Sequence, residues 1–202
     1  MLKQGSDEWK LARVGSVGAS DSPKVMRKTA KGYSDDRDSL LTAKIYERLT
    51  GKPWPTFMTA PMQQGLDREP IARMTYAIIK GHEVDEAGLV PHPKIKGSHA
   101  SPDGYVGDKG LIEIKAPELK AHMKLHDTGS ISHDHITQMQ WQLAVTGRDW
   151  VDYVSFNPDF PLRMQLWTRR IPRDPAYIAE MEREIAKFVS ELEAKLEKFN
   201  RK

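Results

Sequence analysis

Apolar residues recur at helical spacing near both ends of this chain, while strict alternation of apolar and polar residues is confined to short runs in its middle. Ser6 to Arg13 predicts a short helix with Ser6 as N-cap and Trp9 on the buried side. The small-residue loop Gly15–Ser20 leads into another short helix capped near Ser20. Residues 24–37 are basic (Lys24, Arg27, Lys28, Lys31, Arg37) and read as a mobile loop. Leu41, Ile45 and Leu49 predict a helix over Ser39–Leu49 that Gly51 closes. A longer helix is expected from Pro61 to Ile79, with Gly81 as terminator and Pro70 marking a kink or a helix start.

The stretch from His82 to His92 reads as a strand. A His-, Asp- and Ser-rich loop then precedes a helix over Ile136–Thr146. Trp150–Phe156 and Arg163–Ile171 are expected strands, and a terminal amphipathic helix runs from Asp174-Pro175 to about Phe199. Met181, Ile185, Phe188, Val189, Leu192 and Leu196 share its apolar face. Helices before and after a small central sheet predict an α/β sandwich. With 202 residues and no repeats, one domain spanning 1–202 is expected.

Between the strand reading and that His-rich loop lies Ser101-Pro-Asp-Gly-Tyr-Val-Gly-Asp-Lys-Gly-Leu-Ile-Glu-Ile-Lys115. Asp108-Lys-Gly110 is a turn signal, and Leu111, Glu113 and Lys115 alternate with Ile112 and Ile114. A chain that folds back there puts Asp103 opposite the end of the strand that carries Glu113 and Lys115. Two carboxylates and an ammonium then converge, a grouping that suits a hard divalent cation with oxygen ligands. The competing reading is a solvent-exposed hairpin with a weak Glu–Lys surface pair. Ala116-Pro117 ends the strand abruptly and leaves the carboxylates at its tip.

Composition narrows the chemistry only modestly. With no cysteine there is no disulfide, thiolate metal site or cysteine nucleophile. No apolar run reaches the roughly 18–20 residues of a membrane span, and the first residues do not read as a signal peptide, so a cytoplasmic protein is expected. A net charge of +3 permits a polyanionic partner without demanding one. Among isolated candidates, Glu69 sits four residues after Gly65 on the expected long helix. Gln138 and Gln140 open the helix after the His-rich loop. Backbone N–H groups near Ser20, with Arg13, could hold an anion. His122, His126, His133 and His135 cluster in sequence, but no defined helix sets their spacing for zinc; one could still shuttle protons.

These pieces occur in the order seen in a known family. Trp9-x3-Arg13-x-Gly15-x2-Gly-Ala-Ser20, Gly65-x3-Glu69, Ser101-Pro-Asp103-Gly…Glu113-Ile-Lys115-Ala-Pro117 and Gln138-Met-Gln140…Gly147…Tyr153 together resemble the phage lambda-type exonucleases. These are the YqaJ-like viral recombinases of the PD-(D/E)-x-K nuclease superfamily. The resemblance implies a restriction-endonuclease-like core, a central mixed β-sheet flanked by helices. It also implies an Mg²⁺-dependent 5′→3′ exonuclease on double-stranded DNA, with two ions for which Mn²⁺ can substitute. Asp103, Glu113, Glu69 and the main-chain carbonyl of Ile114 would be metal ligands. Lys115 would position the attacking water, and Gln138, in preference to Gln140, would touch it or the leaving side. Arg13, Ser20 and Ser101 would hold the 5′-phosphate, Met62 would wedge the terminal base pair, and Arg27, Lys28 or Lys31 would contact the duplex. The resemblance further implies a homotrimer, a single-strand annealing partner and a phage or prophage setting in a bacterial host. The rival readings are an endonuclease with the same metal site and a non-catalytic DNA-end-binding protein.

Overall fold

The computed structural model describes residues 2 and 4–201; Met1, Lys3 and Lys202, which fall within the expected domain, lie outside the described residues. The first helix, α1 (Asp7–Ala12), starts where Ser6 accepts a hydrogen bond from Trp9 N, and it buries Trp9. A 3₁₀ turn, Ala19–Asp21, runs directly into α2 (Ser22–Met26). The basic stretch is not a mobile loop. It forms a small hairpin, β1 (Lys28–Thr29) against β2 (Gly32–Tyr33), and α3 begins at Asp35 and runs to Thr50. Ion pairs from Arg27 to Asp36 and Asp134, and from Lys28 to Glu184 at 2.7 Å, hold the hairpin down. Charge that looks solvated in sequence is neutralised by acids distant along the chain.

Helix α4 (Ala60–Lys80) carries Pro70 inside it without interruption. The missing N–H would have reached Leu66 four residues back, and both residues are exposed. The expected strand over His82–His92 divides into two pairings: β3 (Val84–Asp85) joins the main sheet, whereas β4 (Val90–Pro91) pairs with β5 (His99–Ala100). The hairpin forms as read, β6 (Gly104–Val106) antiparallel to β7 (Gly110–Lys115). The expected His-rich loop is largely helical: α5 (Leu119–Thr128) ends at Gly129, and α6 (His133–Thr146) starts at an N-cap Ser132. Strand β8 (Trp150–Phe156), a short α7 (Leu162–Gln165), β9 (Leu166–Pro172) and α8 (Pro175–Asn200) complete the chain.

The main sheet has the order β3-β6-β7-β8-β9, parallel only between β7 and β8. That parallel pair is joined by α5 and α6, the crossover that parallel strands require. Ile112 and Ile114 pack with Ala72 and Tyr76 of α4 on one face. On the other face Leu111, Val151 and Tyr153 join α2, α6 and α8 around Trp141, Met181, Ile185 and Phe188. Because both faces are covered, β7 is apolar along most of its length, and its polar residues emerge only at the C-terminal tip. No described helix is long and apolar enough to cross a membrane.

At the other end of β7, a Cβ on Gly110 would collide with the Trp150 ring, itself fixed beneath the Arg170 guanidinium at 3.4 Å. Gly110→Ala is therefore expected to lower stability by about 1–3 kcal/mol, the usual range for overpacking a filled site. Urea unfolding midpoints of the two proteins measure this.

Candidate active site

The C-terminal tip of β7 forms the floor of a cavity of about 1140 Å³. Asp103, Glu113, Lys115, Glu69 and Gln138 all border it, as do Ile114, Arg13, Ser20, Ser101 and Met62. Register explains the first convergence: Gly104 pairs with Ile112, so Asp103 lies beside the next step of β7 and accepts a hydrogen bond from Ile114 N at 2.6 Å. Glu113 and Lys115 project from one face of β7, with Lys115 Nζ 2.6 Å from Glu113 Oε1. Helix α6 covers that face. Gln138 Nε2 donates to Glu113 Oε1 at 2.6 Å, and its own Oε1 accepts from Lys115 Nζ at 3.3 Å. Gln140 is turned away, bridging Pro172 O and Asp174 N at the start of α8.

Glu69 arrives from α4 with Arg73, which donates to Glu69 Oε1 at 2.6 Å and to the carbonyl of Asp103 at 2.9 Å. Two residues that sequence reasoning missed are thus prominent here. Arg73 ties the helix carboxylate to the hairpin. Gln142, four residues and so one helical turn after Gln138, donates to Glu113 Oε2 at 2.5 Å. The i,i+4 spacing was the available signal for Gln142; Arg73 gave none.

Electrostatics are dominated by acids sharing a dry corner. Burial, then the charges of Glu113 and Glu69, push the Asp103 carboxyl well above its usual range. Glu69 is raised as well, first by burial, against the opposing charge of Arg73. Burial opposes the charge on Lys115, yet Glu113 and Asp103 outweigh it and raise its pKa. Lys115 is therefore an ammonium. With all three carboxyls ionised they outnumber the two cations, Lys115 and Arg73, by one, and that imbalance is part of what raises Asp103. Among the described residues no three His, Asp or Glu side chains already close into a cage, since the oxygens of Glu113 are turned onto protein donors. Even so, an all-oxygen donor set of closely spaced carboxyls fits a hard divalent cation, which would favour their ionised forms, and Asp103, Glu113, Glu69 and the Ile114 carbonyl are the groups that could hold one.

A second cluster lies along the same cavity. Trp9 Nε1 donates to Ser101 Oγ at 3.1 Å, and the Arg13 guanidinium stacks on the Trp9 ring at 4.1 Å. Arg13 has no ion-pair or hydrogen-bond partner through its side chain among the described residues, and burial lowers its pKa against the pull of Asp21 and Glu47. The loop that carries it is stitched down. Val17 bridges Ser98 in parallel, Gly15 N donates to Glu47 Oε2 at 2.9 Å, and Arg48 Nε donates to Gly15 O at 2.6 Å. Gly15 has φ +68°, and a Cβ there would meet the Arg48 side chain, so only glycine fits. Arg27, Lys28 and Lys31 lie off the cavity in the β1–β2 hairpin, the first two in ion pairs. The four histidines do not form one cluster: His122 and His126 both reach the Met164 carbonyl, whereas His133 meets Tyr177 and His135 meets Tyr153.

The YqaJ-like viral recombinase domain matches residues 8–149, which span both clusters. The chain belongs to that family. An alkaline exonuclease from Laribacter hongkongensis (LHK-Exo) is 45% identical, with a TM-score of 0.90 and 97% of each chain covered; it has also been solved in complex with dAMP. A phage-related exonuclease from Haemophilus somnus shares the fold at 16% identity, with a TM-score of 0.69 over 90% of this chain and 94% of its own. No curated protein matches the chain. The five-stranded mixed sheet with helices on both faces is the fold of these exonucleases, as expected from the sequence.

The raised carboxyl of Asp103 has a thermodynamic consequence. Its folded pKa lies above the unfolded value of ~3.9, so its cost to folding is absent below that value and develops as pH rises through the folded one. In metal-free buffer Asp103→Asn is expected to raise the melting temperature at neutral pH; ~1 kcal/mol corresponds to about 2–4 °C in a domain of this size. The gain should vanish below pH ~3, under the unfolded value, where the carboxyl is protonated in both states. Thermal unfolding in EDTA at the two pH values measures it.

Proposed function

We propose that the protein is a metal-dependent exonuclease that degrades one strand of linear double-stranded DNA from a 5′-phosphorylated end. The observation that carries this is the meeting of two unlike clusters in one cavity: buried carboxyl groups beside an ammonium, and, among the described residues, an unpaired, half-buried arginine with two serines on the same lining. The first suits phosphodiester hydrolysis. The second suits a terminal phosphate, which a mid-strand phosphodiester could not offer so fully. The 45%-identical exonuclease, which takes up a nucleoside monophosphate, supports the reading.

Asp103, Glu113, Glu69 and the Ile114 carbonyl would hold two Mg²⁺ ions, or Mn²⁺ in their place. Bound there, such ions lower the pKa of water and screen phosphate charge. The chain's own groups do the rest. Lys115, held as an ammonium, orients the attacking water and offsets charge that develops on the phosphorus oxygens. Gln138 and Gln142 fix the rotamer of Glu113 without adding charge. Arg13 would offer a two-pronged donor to the 5′-phosphate, with Ser20 and Ser101, which line the same cavity, adding hydroxyls. Met58, Met62 and Leu66 form an apolar wall, against which the terminal base pair would be splayed by Met62. Each cycle would release a mononucleotide and lengthen a 3′ overhang suited to recombination by strand annealing. Family membership supports a homotrimer, a single-strand annealing partner and a phage or prophage origin in a bacterial host, with Lys31, or Arg27 or Lys28 once their ion pairs open, reaching the duplex.

Lys115→Ala is expected to lower single-turnover cleavage of end-labelled linear duplex by at least ~10²-fold, as when a donor to developing charge is removed, while DNA-end binding in EDTA persists. A rate near that of the wild type would refute the assignment. Arg13→Ala should slow 5′-phosphorylated ends about 10-fold or more, equivalent to ~1.4 kcal/mol, and leave 5′-hydroxyl ends nearly unchanged. Equal slowing of both would remove the phosphate pocket. Cutting of closed circular DNA by the wild type would favour an endonuclease instead.

A further inference from the structure

The hydrolysis just described must dispose of a proton, and most of the groups named so far are cationic, non-ionising or already hydrogen-bonded to protein. Glu69 and Asp103 each keep one oxygen free among the described residues, but both are assigned above to the metal. Lys115 is an ammonium, and Gln138 and Gln142 do not ionise. Glu113 has both oxygens engaged, Oε1 by Lys115 and Gln138 and Oε2 by Gln142. Asp103 Oδ2 accepts from Ile114 N. One further titratable ring borders the same cavity. His135 lies in the first turn of α6, three residues before Gln138, so the two occupy one face of the helix.

The ring is held in place. His135 Nδ1 is 3.1 Å from the Tyr153 hydroxyl, and the two rings stack with centroids 5.5 Å apart at 30°. Tyr153 is itself immobilised: it is 2% exposed, pairs with Glu113 across the parallel β7–β8 ladder and meets Trp167 edge-on. One imidazole nitrogen is thereby committed to a fixed phenol. The other, Nε2, has no hydrogen-bond partner among the described residues and is the nitrogen available to a bound group.

We propose that His135 is a further catalytic residue of this site, an imidazole steered by Tyr153 that accepts the proton of the attacking water at Nε2. The inference rests on the nuclease reading above. In the reactive tautomer Nδ1–H donates to the Tyr153 oxygen, leaving the Nε2 lone pair free. As the water oxygen bonds to phosphorus, its proton passes to Nε2. The P–O3′ bond breaks, and the departing O3′ takes a proton from solvent. The imidazolium then returns its proton to solvent, so the site is restored without a co-reactant.

The surroundings suit a ring that begins neutral. The groups that face it are Lys115 and Glu113 from β7, Tyr153 from β8 and Asp134 of its own helix. Burial, then the Lys115 ammonium, lowers the pKa of His135 against the pull of Glu113 and Asp134. A position in the first turn of a helix acts in the same direction. Tyr153 is pushed up to about 12, chiefly by burial, and remains an uncharged anchor across the working range.

Single-turnover digestion of a 5′-phosphorylated duplex with Mg²⁺, followed from about pH 5 to 10, tests this on wild type, His135→Gln and Tyr153→Phe. The wild-type rate should rise through an inflection below the usual histidine value of ~6.5 and then level off. His135→Gln should be slower by about 10²-fold, the lower end of general-base effects, and lose the inflection, with end binding in EDTA unchanged. Tyr153→Phe, which keeps the base but not its anchor, should keep the inflection and lose about 10-fold. Should His135→Gln fail to fold in a thermal melt, His135→Asn carries the same test. A wild-type rate in the glutamine variant, a retained inflection, or a loss confined to end binding would overturn the inference. Lys115→Ala, run alongside, separates the two readings. If it is inactive while His135→Gln is normal, only the base is wrong; if it is active, the nuclease site itself is misassigned.

Discussion

Like charge forced together out of water is the constraint on which this structure turns. Asp103, Glu113 and Glu69 approach one another at the tip of β7, where burial and mutual repulsion push Asp103 well above its ordinary range. Such a corner costs folding free energy, and the surrounding chain is arranged to limit that cost. Lys115 pairs with Glu113, two glutamines from α6 donate to the same carboxylate, and Arg73 clamps Glu69 to the Asp103 backbone. Removing water from charges is a poor way to gain stability, so their presence together points to function.

The sheet exists to hold that corner in place. Its single parallel pair carries Glu113 and Lys115 on β7 and Tyr153 on β8, and the crossover between them delivers α6 above both. Covering both sheet faces with helices leaves the strand tip as the one end of β7 where polar side chains emerge into a cavity. The arginine–serine cluster reaches the same cavity by a different route, through a loop bridged to Ser98 and braced by Glu47 and Arg48.

Much of this was legible in the sequence because it is local. A turn signal followed by alternation fixed the β6–β7 hairpin, and with it the approach of Asp103 to Glu113. Glycines at 51, 81 and 147 ended helices where expected. What escaped was long-range. The segment 24–37 looked like a solvated loop because its partners, Asp134 and Glu184, lie more than a hundred residues away. The stretch 82–92 looked like one strand because nothing local in it shows that Val84 and Val90 pair with different partners. The His-rich segment hid α5, whose N-terminal end lacks a side-chain cap and whose buried face includes a polar residue, His122 against Ser155. Gln140 and Gln142 differ by two positions, enough on a helix to send one to the site and the other to the start of α8.

Ser101 and Asp103 are separated by one residue, Pro102, in a segment fixed at both ends by the bridge to Val17 and by the β6–β7 ladder. Two residues of extended chain span at most about 7 Å. On the proposed reading, the grip on the strand terminus and the point of scission are thus marked on the same short rod of backbone. The length of product is then set by covalent geometry, like the pitch of a ratchet, and no separate counting element is required.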